Sequence, residues 1–418
     1  MSFFKSESKK RLRQLDILRG IAVLLVIGHH VILQPEESGV FQPLVNVLIR
    51  FGWSGVDLFF VLSGFLVGGL LFSELRSRSV LDVRRFIIRR GFKIWPAYYA
   101  YLLTVFLLLL VREQGNVHRA LGDILPNFFH IQNYLGTARP HTWSLAVEEH
   151  FYLLLPLLLL LLLKIGGRRP PSVSISYFPA IAIGVMVLCT GLRYLSIAHQ
   201  AFDPATNYNP THLRMDSLFF GVLLGYLYHF KSPLLEKIPR RRYSLLLLGL
   251  ALVCPMMVID IRAGWFVTVI GFAMLYVGYG LILLAVVYTP VGEGVLGKLM
   301  GSALGRLLAF IGFFSYPIYL WHIDAARLPL QYFAARGLFG VFPSSLRFIL
   351  ITSIYVVLAT AAGVILGTLV EKPALAFRDA FFPSRASALP QPESRFATGE
   401  CLPEFEVSKP TEQFVKAG

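Results

Sequence analysis

The sequence predicts an all-α polytopic membrane protein with about ten transmembrane helices and both termini cytoplasmic. Of its 418 residues, 56% are hydrophobic and only 15% are charged, which is too apolar for an ordinary soluble enzyme. Many of the apolar stretches reach the roughly 20 residues needed to cross about 30 Å of hydrocarbon. The Lys and Arg residues also concentrate in alternate loops, as cytoplasmic loops require. That asymmetry accounts for the net charge of +15 and makes a nucleic-acid partner unnecessary.

Ten spans are expected, at residues 15–34, 51–73, 94–111, 143–163, 178–197, 213–230, 243–260, 264–287, 306–324 and 344–370. With residues 1–14 placed inside, most of the 39 Lys and Arg fall on the cytoplasmic side. Trp53, Trp143, Trp265 and Trp321 then lie near outer span ends, and Trp95 at an inner one, where interfacial aromatics belong. The first span follows a basic start, carries charge and lacks a small-residue cleavage site, so it reads as a retained helix. The densest basic loop, 74–93, suits in part an interfacial amphipathic helix. Residues 378–418 form a cytoplasmic tail, rich in Pro, Ser, Glu and Lys after about residue 384, that is expected to be disordered. Cys189, Cys254 and Cys401 have no ligand or disulfide spacing, so no metal is implied.

The first span, LDILRGIAVLLVIGHHV, holds Arg19 and His30. Ionisable groups inside a membrane-length segment are costly and are functional candidates by default. Eleven residues at about 100° each bring the two side chains to within roughly 20° of one helix face, about 16 Å apart along the axis. Asp16 joins that face, and His29 lies off it. The topology sorts the remaining candidates into two layers. His30, Asp57, Glu148, Glu149, Asp216 and His322 form an outer layer, and Arg19, Arg89, Arg90 and Lys93 an inner one. A histidine beside carboxylates suits general-base chemistry on a hydroxyl, with Asp57 or a glutamate orienting His30. Clustered cations facing the cytoplasm suit a phosphate-bearing co-substrate. Each residue also has a structural reading. Arg19 snorkels to headgroups, Glu148 and Glu149 pair with Arg214, and the basic loop enforces topology or binds anionic lipid.

Several ordered motifs resemble the acyltransferase 3 family of integral membrane O-acyltransferases. They are LDILRGIAVLLVIGHH, GVDLFFVLSGFLVG, RRGFKIWPAYY, TWSLAVEEHFYLLLP, MDSLFFGVLLG and IGFFSYPIYLWHI. Lys93 stands where Arg is usual, and His150 where Gln is common. The resemblance covers residues 12–377. It implies transfer of an acyl group, commonly acetyl, from cytoplasmic acyl-CoA to a hydroxyl of an extracytoplasmic glycan, in the cytoplasmic membrane of a bacterium. It also implies His30 and Arg19 as the essential pair, Arg89, Arg90 and Lys93 as donor-phosphate residues, and Glu148 and Glu149 at the catalytic level. A transporter or flippase of envelope glycan precursors is the competing class, since buried charge suits it too. No inverted repeat is visible to support it.

Overall fold

The computed structural model describes residues 12–199, 201–261 and 264–383, and among these there is no β-strand. Hydrocarbon offers no partner to an unpaired backbone group, so an apolar chain of this kind folds as helices. The first half of the chain comprises α1 (Arg13–His29), α2 (Gln42–Phe51), α3 (Gly55–Arg78), α4 (Val83–Arg112), α5 (Val117–Phe128), α6 (Trp143–Gly166) and α7 (Phe178–His199). The second half comprises α8 (Met215–Phe230), α9 (Ile238–Val253), α10 (Phe272–Val287), α11 (Gly294–Gly301), α12 (Ala303–Phe313), α13 (Ser315–Trp321), α14 (Leu328–Ala335), α15 (Ser344–Leu366) and α16 (Lys372–Phe381).

All ten expected apolar segments contain helix, and the protein is a helical membrane protein. Six helical runs in the described residues are long and apolar enough to cross a bilayer, or seven if α11 and α12, bent by 65°, are one span. The ten-span count therefore rests on short elements. The 17 residues of α1 and the 16 of α8 give only about 24–26 Å at 1.5 Å per residue.

Three boundaries differ from expectation for local reasons. The loop 74–93 is not a separate interfacial helix. Residues up to Arg78 continue α3, Ser79 turns the chain at φ 58°, and the Asp82 side chain caps α4 by accepting from the Arg85 N–H at 3.0 Å. The span expected at 306–324 is broken into α12, α13 and a π-helical turn, His322–Arg327. Residues 378–381, assigned to a disordered tail, belong to α16, where Phe377 and Phe382 pack on Phe92 of α4. The N-terminal residues before Leu12 and the tail beyond Pro383 lie outside the described residues.

Two close helix crossings set the frame of the site. A Cβ on Gly312 would lie 1.7 Å from the Asp16 carbonyl oxygen, so α12 crosses α1 backbone to backbone. A Cβ on Gly64 would lie 2.0 Å from the Leu218 carbonyl oxygen, which fixes α3 against α8 in the same way. Beside that second crossing lie two ion pairs whose four side chains have no exposed surface. Arg214 bonds Asp57 at 2.6 Å, and Arg193 meets Asp216 at 2.7 Å. Arg193 also donates to the carbonyls of Thr268 and Leu213 at 2.7 and 2.5 Å, joining α7 to the turn before α10. The Arg214 guanidinium lies over the rings of Phe272 and Tyr208, at 4.3 and 4.7 Å.

Removing one partner of such a pair leaves an uncompensated buried charge. Arg214→Ala is expected to cost about 3–5 kcal/mol of stability. A melting temperature in detergent equal to that of the unaltered protein would contradict it.

Candidate active site

His30 sits one residue past the end of α1, with φ −97° and ψ 24°. Its Nδ1 is 2.9 Å from the Val26 carbonyl oxygen. A carbonyl can only accept, so Nδ1 carries the proton and Nε2 presents its lone pair. A backbone group thus orients this imidazole. Asp57, expected in that role, is committed elsewhere: its carboxylate accepts from Arg214 and from Ser217 Oγ, the latter at 3.2 Å. The same contact removes the expected pairing of Arg214 with Glu148 or Glu149.

Around His30 lies a group of imidazoles. The rings of His29 and His322 are each 5.1 Å from it, and His141 is 5.3 Å from His322. His322 has no exposed surface; its Nδ1 donates to the Tyr319 carbonyl at 2.6 Å and its buried Nε2 has no partner. The π-helical turn that begins at His322 returns to α1, where Arg327 Nε donates to the His30 carbonyl at 3.0 Å. In the same turn, Asp324 holds Arg139 at 2.6 Å and accepts from Tyr101 at 2.7 Å. π-Bulges of this kind recur at functional sites. Among the described residues, no group of three His, Cys, Asp or Glu is placed to hold a metal ion.

Toward the other end of α1 lies a cavity of about 130 Å³. Arg19, Arg90 and Lys93 line it, together with Ser63, Glu148 and Tyr152. Arg19 meets Asp16 at 3.1 Å, and Arg90 lies over the Tyr152 ring at 5.3 Å. The Tyr152 hydroxyl donates to Glu148 Oε2 at 3.0 Å and accepts from Ser63 Oγ at 2.8 Å. The two expected layers therefore merge at one point, because Glu148 shares its cavity with the cations. Glu149 diverges by about 100° on α6. It accepts from Trp95 Nε1 at 3.3 Å and is absent from the cavity wall. Arg89 is also absent from the wall and instead contacts α16, while Lys93 reaches the wall and pairs with Glu371.

Tyr319 joins the cavity to the imidazoles. It lines the cavity, accepts from Ser144 Oγ at 2.7 Å, donates to the His141 carbonyl at 2.5 Å and lies 5.8 Å from the His322 ring. Tyr319, Tyr152, Arg139, Asp324 and Arg327 are not singled out by the sequence, since each has partners far along the chain, although Tyr152 also bonds Glu148 one turn away. In the loop before α6, His130 stacks on Tyr98 at 4.6 Å. Burial first, and the neighbouring His150 second, hold its pKa down at about 4, so it is neutral at physiological pH.

The family described as acyltransferase domain matches residues 12–369. The chain belongs to the acyltransferase 3 family. It is 27% identical over 339 residues to a peptidoglycan O-acetyltransferase of Listeria monocytogenes, covering 77% of this chain and 50% of that protein. It is also 27% identical over 351 residues to a Staphylococcus aureus protein provisionally named an O-acetyltransferase, covering 79% of this chain and 53% of that one. The chain thus spans about half the length of the curated relatives it matches. No solved structure matches it.

For a member of this family, the Ser63–Tyr152–Glu148 chain is open to direct test. Tyr152→Phe strips Glu148 of its donor beside two arginines. It is expected to lower kcat/KM for acyl transfer by about five- to 150-fold, the equivalent of about 1–3 kcal/mol. Unchanged turnover in membrane vesicles would show that the hydroxyl has no part in the site.

Proposed function

We propose that this protein is a membrane O-acetyltransferase that takes an acetyl group from cytoplasmic acetyl-CoA and delivers it to a hydroxyl of an extracytoplasmic glycan. The observation that carries the reading is the tautomer of His30. Nδ1 is tied to a carbonyl and Nε2 is left free, and the rings of His322 and Tyr319 link this imidazole to a cavity lined by Arg19, Arg90 and Lys93. The basic loops put the Arg19 end of α1 in the cytoplasm and the His30 end outside. The name of the Listeria relative supports a peptidoglycan-like glycan as the acceptor class.

In this reading Arg90, Lys93 and Arg19 hold the phosphate-bearing donor and its thioester points toward His30. The acceptor hydroxyl oxygen attacks the thioester carbonyl while His30 Nε2 takes the hydroxyl proton. The C–S bond then breaks, and the departing thiolate receives that proton from His30. The same free Nε2 can instead attack the thioester carbonyl, breaking the C–S bond and releasing the thiolate, which takes the Nδ1 proton; the acyl-imidazole then passes the acetyl group to the acceptor hydroxyl, whose proton returns to the ring. Arg327 fixes the backbone of His30 and the Val26 carbonyl fixes its ring. The protein is read as lying in a bacterial cytoplasmic membrane, in contact with lipid on its outer helix faces.

His30→Ala is expected to lower acetyl transfer from labelled acetyl-CoA by about 10²–10⁴-fold in vesicles containing properly inserted protein. Normal transfer by that variant would remove His30 from the mechanism. Arg90→Ala is expected to raise the KM for acetyl-CoA by about tenfold, the loss of one charge-assisted contact of about 1.4 kcal/mol. An unaltered KM would take Arg90 out of donor binding.

A further inference from the structure

Three guanidiniums gather where α4 meets α16. Arg85 and Arg89 lie one turn apart on α4, and Arg378 comes from α16. Among the described residues, one carboxylate bonds these guanidinium groups. Asp379 accepts two bonds of 2.9 Å from Arg378 and meets Arg89 at 3.2 Å. Arg89 also donates to the Phe382 carbonyl, and Arg85 to the Pro383 carbonyl. The Nε of Arg85 is buried and makes no hydrogen bond among the described residues. Three cations facing one anion repel one another unless further negative charge arrives. A forked arginine beside a second guanidinium is also the arrangement that binds phosphate oxygens. Asp379 is 48% exposed, so an anion from water can reach and displace it. This cluster takes half its groups from α16, which lies beyond residue 369, where the family match ends.

We propose that Arg85, Arg89 and Arg378 form a phosphate-binding site in which Asp379 is the resident carboxylate that an arriving phosphate displaces. The geometry suits two sources of that group. One is the nucleotide end of an acyl-CoA donor entering the nearby cavity; this source rests on the donor reading above. The other is the headgroup of an anionic lipid, which does not.

The test uses the full chain in vesicles with and without phosphatidylglycerol. Two thioesters are compared, acetyl-CoA and S-acetylpantetheine, which lacks the nucleotide and its phosphates. If the donor supplies the phosphate, Asp379→Asn lowers the KM for acetyl-CoA and Arg378→Ala raises it, each by about three- to tenfold. The KM for S-acetylpantetheine then stays unchanged, and Arg378→Lys recovers part of the loss. If lipid supplies it, phosphatidylglycerol raises the melting temperature of the unaltered protein, Arg378→Ala abolishes that rise, and the KM for acetyl-CoA does not move. Equal shifts for both thioesters, or no shift together with no lipid dependence, would overturn the site. An unaltered protein that ignores acetyl-CoA yet keeps the lipid effect would sink the donor reading and leave the site standing.

Discussion

The structure depends on two arginines held entirely out of water. Taking Arg214 and Arg193 into a low-dielectric interior costs several kcal/mol each, and only close, multiply bonded partners repay it. Asp57 and Asp216 supply the charge, the carbonyls of Leu213 and Thr268 bond Arg193, and the faces of Phe272 and Tyr208 cover Arg214. The partners come from different helices, so the pairs fix α3, α7 and α8 together at one depth. α1 is then laid against α3 and α12, the latter at the bare backbone of Gly312. What α1 presents at its two ends follows from that placement.

At one end, α1 brings an arginine to a cavity with further cations and a hydrogen-bonded Ser–Tyr–Glu chain. At the other, the helix stops and the next residue is an imidazole whose protonated nitrogen is bound to the carbonyl four residues back. A histidine held by a carbonyl keeps a defined tautomer without a carboxylate beside it. Tyr319, with hydrogen bonds to Ser144 and to the His141 carbonyl, connects the two regions. The arginine and the imidazole are thereby separated along one helix by about 16 Å, the distance over which the proposed donor and acceptor roles are divided.

Much of this was legible in the sequence because it is local. Arg19, His30 and Asp16 share a helix face by spacing alone, and Asp16 does bond Arg19. The ordered motifs named the family. The pairing of buried charges was not legible, because it is set by contacts some 157 residues apart, as with Asp57 and Arg214. Spacing therefore offers Asp57 or a glutamate as the partner of His30, whereas the Asp57 carboxylate pairs with Arg214. Ser63 showed no partner in sequence because its partner, Tyr152, is 89 residues away. The helical fate of residues 378–381 was missed because it depends on aromatic packing against α4 and not on the polar composition of the tail. The break of the ninth segment is flanked by Gly312, Pro317 and Pro329, which the apolar pattern alone overrides, and the Arg327 contact with His30 accompanies it.

The central claim is that the two ends of α1 serve opposite sides of the membrane. The direct measurement is acetyl transfer in sealed vesicles of known orientation, given acetyl-CoA that cannot cross the bilayer and a glycan acceptor confined to one side. The account predicts product only when acetyl-CoA meets the Arg19 end and the acceptor meets the His30 end. Equal transfer with both substrates on the same side, or transfer in the opposite arrangement, would contradict it.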